Sequence, residues 1–258
     1  MIYIIKKAAL HLNQIVYLCI NLNIQFIMKT ILENDSQFIC EISAPCFQML
    51  SQDELTLIRN SKTQVLFRRG DSITKQGVFA SYVLFVINGL SKQYIEGPGN
   101  KSHNLRIIGP GEFIGLSSVF SASIFQYSVI SITDSHCFLI EKEAIASVMK
   151  TNAAFTMNIV KRYCLHNANL YETLGSVLYK QMNGRMASTL LYLNQLKNEH
   201  PDIFTLLTRK DVSEFAGVST ENGIKLLKTF EKEALIKLSE KDILLLNKTM
   251  LAEIAKHG

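Results

Sequence analysis

Hydrophobic and polar positions divide the chain into three zones. In the first, Phe47, Leu50, Leu55 and Ile58 recur at helical spacing, which predicts a helix between Ser43 and Ser61. The second zone runs from Thr63 to Glu141. Short apolar runs rich in Val, Ile and Phe are cut there by Gly70, Gly77, Gly89, Gly97, Gly99, Gly109, Gly111 and Gly115. Tyr82 to Leu90 predicts a strand ending in a turn, and Gln93 to Asn100 a strand running into a hairpin tip. Glycine supplies positive φ in such turns and proline cannot continue a ladder. Many short strands at close turn spacing predict a jelly-roll or barrel.

From Lys142 the glycines thin out and helical patterns take over. A short helix is expected over Glu141–Lys150. A long helix follows, capped by Thr151 or Asn152 and running to about Val177. Ile159, Tyr163, His166, Leu170 and Val177 form a heptad-like seam along it. Such a seam either pairs with its own copy in a dimer or packs on the chain's own β-domain.

A third pattern lies between Leu207 and Ile236. Thr208-Arg-Lys-Asp211 has capping-box form, with Thr208 as cap and Asp211 reaching back. A short helix follows with Val212 and Phe215 inward. Ala216-Gly217-Val218 makes the turn, with Gly217 where the chain bends tightly. Ser219 is a second cap. Thr220 to Lys232 is a second helix with Ile224, Leu227 and Phe230 on its buried side. Two helices joined by a short Gly-containing turn form the helix-turn-helix motif. Ala234–Leu238 and Ile243–Leu246 read as strands around a Ser239–Asp242 turn, which adds a wing.

In that motif the second helix enters the major groove by its N-terminal end. Thr220, Glu221, Asn222 and Lys225 are exposed there and carry base-reading chemistry. Lys225 donates to guanine acceptors, Glu221 accepts from cytosine N4, and Thr220 and Asn222 bond base edges or phosphate. Thr208, Arg209, Lys210, Ser219, Lys228 and Lys241 are the candidates for phosphate contact, which positions without specifying sequence. Lys237 lies on the same wing. The bland alternative is a helical hairpin that only packs. Charge does not decide, because Leu207–Lys232 holds five Lys/Arg against four Asp/Glu.

Composition narrows the picture. The 258 residues are 48% hydrophobic and 19% charged, a globular balance with room for two domains. The net charge of +5 is compatible with a polyanion partner but does not select one. Cys19, Cys40, Cys46, Cys137 and Cys164 form no C-x-x-C pair. That argues against a disulfide scaffold, a structural zinc site or an iron–sulfur cluster, and for reduced thiols in a cytoplasmic protein. Residues 1–28 are expected to be a poorly ordered or mis-assigned extension, with Met28 as a second start. Lys6 and Lys7 precede an apolar run there, but His11, Asn13, Gln14, Asn21, Asn23 and Gln25 interrupt it, so no membrane partner is expected. The fold class is α+β: a β-roll over 29–150, a long helix over 151–180 and a winged helix-turn-helix over 181–258.

From about Phe47 onward, roughly four-fifths of its length, the chain resembles the Crp/Fnr family of transcription regulators. Phe67-Arg-Arg-Gly-Asp-Ser-Ile73, Phe85-Val-Ile-Asn-Gly89 and Gly109-Pro-Gly-Glu-Phe-Ile-Gly115 are similar to its β-roll. Gly184-Arg-Met-Ala-Ser-Thr-Leu-Leu-Tyr-Leu193 is similar to its helix after the hinge, and Leu207 to Ile236 to its DNA-binding motif. The resemblance implies a cytoplasmic homodimer on a two-fold symmetric double-stranded DNA operator, with RNA polymerase as a further partner. An effector in the β-roll would set the angle of the DNA-binding domains. It places Thr220, Glu221 and Lys225 at the base-reading positions, with Thr220 and Lys225 replacing arginines common in the family.

The same resemblance puts an effector pocket at Phe113, Gly115, Leu116, Ser117, Tyr127 and Ser128. Cyclic-nucleotide binders of the family carry a Glu just after the Phe-x-Gly element and an Arg-Ser or Arg-Thr about a dozen positions later. Here Leu116 follows Gly115 and the later positions are Gln126-Tyr127-Ser128, with no Arg or Lys between Leu116 and Ser128. A buried phosphate without a cationic fork is poorly compensated, so cAMP is not the expected effector. Haem would need an axial ligand from His103, His136 or His166. Cys137 and Cys164 show no neighbouring charge that marks a redox sensor. No metal site and no catalytic residues are expected: the nucleophile elbow, P-loop and dinucleotide fingerprint are missing, and Gly109, Gly111 and Gly115 read as β-roll turns. The rival readings are a cyclic-nucleotide-responsive regulator and a protein-interaction module that uses the winged helix.

Overall fold

The computed structural model describes residues 29–30, 47–121 and 124–258. The extension at residues 1–28 and the start of the helix expected from Ser43 lie outside the described residues.

The first helix is shorter than the apolar spacing suggests. Phe47 to Leu50 form a turn, and α1 spans Gln52–Asn60. Ser51 and Glu54 set its start through a capping box. The Ser51 hydroxyl accepts from the Glu54 amide at 3.3 Å, and the Glu54 carboxylate accepts from the Ser51 amide at 2.8 Å.

Among the described residues the β-domain has nine strands: β1 (Lys29–Thr30), which precedes α1, and then β2 (Lys62–Phe67), β3 (Ser72–Thr74), β4 (Tyr82–Asn88), β5 (Ser91–Glu96), β6 (Ser102–Ile108), β7 (Phe113–Ile114), β8 (Ser128–Ser131) and β9 (Ser135–Glu141). They build two antiparallel sheets, ordered β1-β2-β9-β4-β7 and β3-β8-β5-β6. The first sheet is buried on both faces, so β4 reads as a continuous apolar run. Its alternate residues still separate. Leu84 and Val86 join Val65, Ile108, Ile114 and Cys137 in the core between the sheets. Val83 and Phe85 face outward onto Phe47, Ile58, Ile145 and Phe155, which the helices supply.

Those helices are α1, α2 (Lys142–Thr151) and the start of α3 (Ala153–Tyr179). Asn152 caps α3 by accepting from the Phe155 amide at 2.9 Å. The helical domain comprises α4 (Met182–Leu196), α5 (Ile203–Leu206), α6 (Arg209–Phe215), α7 (Thr220–Lys232), β10 (Ile236–Ser239), β11 (Asp242–Leu245) and α8 (Lys248–His257). The α+β class and the β-roll followed by a winged helix-turn-helix are as expected.

The turn between α6 and α7 follows its sequence signals. The Thr208–Asp211 capping box forms, Gly217 has φ of 61°, and Ser219 caps α7 by accepting from the Asn222 amide at 3.2 Å. One expectation fails. The buried stripe of α7 is Gly223, Leu227 and Phe230, while Ile224 is 38% exposed. Helix α7 lies so close to α6 that a Cβ on Gly223 would sit 2.8 Å from the Ser213 Cβ and closer still to its hydroxyl. That approach turns α7 and leaves Ile224 at the rim.

Gly223→Ala is therefore expected to destabilise the chain by about 1–3 kcal/mol, read as a lowered thermal midpoint. Adding Ser213→Gly should recover part of that loss. Strict additivity of the two substitutions would show that the glycine is not there for close approach.

Candidate nucleic-acid interface and effector cavity

The N-terminal turn of α7 presents Thr220, Glu221 and Lys225 to solvent. Lys225 and Glu221 are one helical turn apart and pair at 2.7 Å in the free protein. Around them Lys210, Lys228, Lys237 and Lys241 are exposed. Four expected contact residues are otherwise engaged. Asn222 is half-buried, with its amide nitrogen 3.8 Å from the Met182 sulfur at the start of α4. The Thr208 hydroxyl donates to Asp211 at 2.6 Å within the capping box. Arg209 is half-buried. It donates to the carbonyls of Glu240 (3.1 Å) and Asp242 (3.3 Å) and so fastens the wing to α6. Burial lowers the Arg209 pKa. The Ser219 hydroxyl is the α7 cap.

The helix-turn-helix is docked on the chain's own β-roll. Lys92 of β5 reaches between Asp211 and Glu214 of α6, pairing with the first and lying 3.5 Å from the second. The side chains are 12%, 15% and 11% exposed, so the cluster is largely desolvated. From β6, Ser102 donates to Glu214 at 2.7 Å and Asn104 to the Asp211 carbonyl at 2.9 Å. Burial favours a protonated Asp211, but the bonds from Lys92 and Thr208 outweigh it and hold the pKa down. Leu90, Ile107 and Ile132 of the β-roll join the apolar core of the helical domain. The hydroxyl of Tyr192 accepts from the Ile107 amide at 2.9 Å.

A cavity of about 340 Å³ opens on the other face of the β5–β6 hairpin, between the β-roll and α3. Phe113, Leu116, Ser117 and Tyr127 line it as expected. Ser128 and Gly115 do not. The Ser128 hydroxyl donates to Glu96 at 2.5 Å and accepts from the Gln76 amide at 2.9 Å. The Gly115 amide donates to the Tyr127 hydroxyl at 2.9 Å.

The segment between Leu116 and Ser128 carries no cation, yet the cavity has two, from elsewhere. Arg106 comes from β6 and Arg162 from α3. Arg106 pairs with Glu112 and donates to Gln93 at 2.9 Å. Burial pushes the Glu112 carboxyl up, but His166, Arg106 and the Gly109 amide outweigh it and hold its pKa at about 2. Arg162 donates to Asn158 at 2.9 Å and to the Gly111 carbonyl at 2.8 Å. Of the three imidazoles weighed as axial ligands, only His166 lines the cavity, and its Nε2 lies 3.4 Å from Glu112. No metal-ligating cluster occurs among the described residues. Cys137 is buried, which pushes its thiol up to about 12.

Of the residues expected in the dimer seam, Tyr163, Leu170 and Val177 are 55%, 43% and 40% exposed, while Ile159 and His166 are engaged within the chain. Ile159 is buried in the chain's own core, and Tyr163, His166 and Leu170 line the cavity. Val177 lies beside Gly217 of the helix-turn-helix turn. A different stripe of α3 is exposed: Met157, Val160, Cys164, Asn167, Tyr171, Leu174 and Leu178, repeating every three or four residues. Helix α3 is apolar on two adjacent faces, one bordering the cavity and the other facing solvent.

Two family models match in order along the chain. One is a cyclic nucleotide-binding domain over residues 64–152, the other a Crp-like helix-turn-helix domain over residues 184–254. The "CRP-like cAMP-activated global transcriptional regulator" of Mycobacterium tuberculosis is 22% identical over 222 residues, spanning 83% of this chain and 97% of that protein. The "Cyclic AMP receptor protein" of Thermus thermophilus is 22% identical over 214 residues, spanning 82% and 97%. Among solved structures, a Crp/Fnr regulator from Eubacterium rectale superposes with TM-score 0.68 at 19% identity, covering 82% of this chain and 98% of that one. FixK2 from Bradyrhizobium japonicum gives 0.64 at 16%, covering 75% and 96%. These structures share the fold. With both domains present in this order, the chain belongs to the Crp/Fnr family: it is a Crp-like transcription regulator that binds DNA through its helix-turn-helix, and not an enzyme.

Proposed function

We propose that the chain acts as a homodimer on a palindromic operator, under the control of an effector other than cAMP in the cavity between the β-roll and α3. The observation that carries this reading is the pairing of an exposed recognition face on α7 with an unpartnered heptad stripe on α3. A helix-turn-helix with one net positive charge needs two copies acting together, and the stripe supplies the means to join them. The DNA partner places the protein in the cytoplasm. RNA polymerase is a further partner for such a regulator.

The exclusion of cAMP rests on the cavity. Leu116 stands where a ribose-binding Glu is needed, and the Glu96 carboxylate already takes the Ser128 hydroxyl. An iron–sulfur cluster has no cysteine set to hold it. The second reading is a cAMP-responsive regulator, favoured by the names of both relatives. A protein-interaction role for the winged helix is the third.

The following outcomes test the proposal. The purified protein, incubated with fragmented genomic DNA, should retain a palindromic motif, and retention should fall steeply with salt. Lys225→Ala should change base preference at one position of each half-site, at a cost of about 1–3 kcal/mol. Capture of no motif would sink the operator reading, and added cAMP that creates one would reinstate the second reading. Leu174→Glu should give monomers in sedimentation and lose the motif, whereas Leu170→Gln, in the cavity wall, should stay dimeric. Lys92→Met should leave Asp211 facing the β-roll without a cation and Glu214 with only the exposed Lys210, 3.6 Å away, costing the docking about 3–5 kcal/mol. Hydrogen exchange of the α6 amides should then quicken selectively. Unchanged protection there would show that the Lys92 cluster does not hold the domains together.

A further inference from the structure

We infer that the cavity takes a small organic monocarboxylate with an apolar body, anchored at its charged end by Arg162. This rests on the reading of the cavity as the effector site and adds the chemical class of its ligand. The volume of about 340 Å³ is within the range of small-molecule sites. It equals about eleven waters, room for roughly ten to fifteen non-hydrogen atoms. Ile95, Leu105, Phe113, Leu116 and Leu170 make its walls apolar.

Charge selects the other end of the ligand. The cavity holds two guanidiniums and one carboxylate. Arg106 is neutralised by Glu112. Arg162 has only neutral partners, the Asn158 side chain and the Gly111 carbonyl, and no carboxylate pairs with it among the described residues. Those two bonds fix the plane of its guanidinium and leave donors over. A guanidinium on an apolar wall is best satisfied by a carboxylate, which accepts two parallel bonds from the fork. Glu112 lies in the same cavity and disfavours a second negative charge on the ligand. The anchor therefore belongs to α3, the helix that also carries the unpartnered stripe. The anion would sit by Arg162 and not at Ser128, whose hydroxyl already serves Glu96.

The test uses full-length protein and isothermal titration with octanoate and 3-phenylpropanoate, each beside its primary amide, and with cAMP. At least one acid should bind and raise the thermal midpoint, with its amide about tenfold weaker or worse. Arg162→Gln should weaken the acid about tenfold and leave the amide unchanged, while Arg162→Lys retains part of the acid affinity. Circular dichroism confirms that both variants fold. Acids and amides binding alike would overturn the inference, as would an acid affinity indifferent to Arg162→Gln. Failure of both acids and of cAMP, with motif capture from genomic DNA intact, overturns the inference and leaves the regulator reading standing. Binding of cAMP without the acids overturns the inference and the exclusion of cAMP together.

Discussion

The arrangement of this protein depends on one desolvated ion cluster, Lys92 of the β-roll between Asp211 and Glu214 of the helix-turn-helix. Two carboxylates on α6 cannot be covered by a β-sheet unless a cation comes with it, because an unpaired buried charge is far more costly than a paired one. Lys92 supplies that cation, and Ser102 and Asn104 satisfy oxygens around it. The ammonium and its partners fix the position of α6. Through the tight contact at Gly223, α6 in turn fixes α7, the helix that presents Thr220, Glu221 and Lys225. The β-roll and the helix-turn-helix are thus joined by polar contacts that must be satisfied together.

The β5–β6 hairpin gives that joint a direction. Lys92, Ser102 and Asn104 face α6, while Gln93, Ile95, Leu105 and Arg106 line the cavity. Alternation of side chains, shifted by one residue at a bulge where Gln93 pairs with Arg106 and Tyr94 with Asn104, puts the two sets on opposite faces. Helix α3 is two-sided in the same sense. One stripe closes the cavity and reaches the core, the other is exposed. A ligand between hairpin and helix therefore touches both the element that holds the DNA-binding domain and the element that carries the free heptad stripe.

Features governed by local backbone chemistry were legible in the sequence. The Thr208–Asp211 box, Gly217 at positive φ, the Ser219 cap and the hairpin turn at Gly97–Asn100 all stand where residue types place them. Features that depend on which of two apolar faces finds a partner were not. Periodicity identified α3 but does not separate the residues that border the cavity, such as His166, from the exposed stripe through Leu174. Arg209 shows the same limit. An exposed-looking arginine at a helix start reads as a phosphate contact until the wing carbonyls of Glu240 and Asp242 arrive beside it. The cations of the cavity were hidden for a different reason. Arg106 and Arg162 are supplied by a strand and a helix far apart in sequence, outside the cassette that defines the family's nucleotide site. The one signal for α1 that the apolar spacing overrode was Ser51-x-x-Glu54, a complete capping box.

As the proposed dimer, two copies of this chain would present their α7 helices to one duplex. Hydroxyl-radical footprinting on a bound DNA fragment tests it most directly. Two protected half-sites related by two-fold symmetry are expected, with centres about one helical turn, ~34 Å, apart. A single protected half-site at saturating protein, or protection without symmetry, would contradict it.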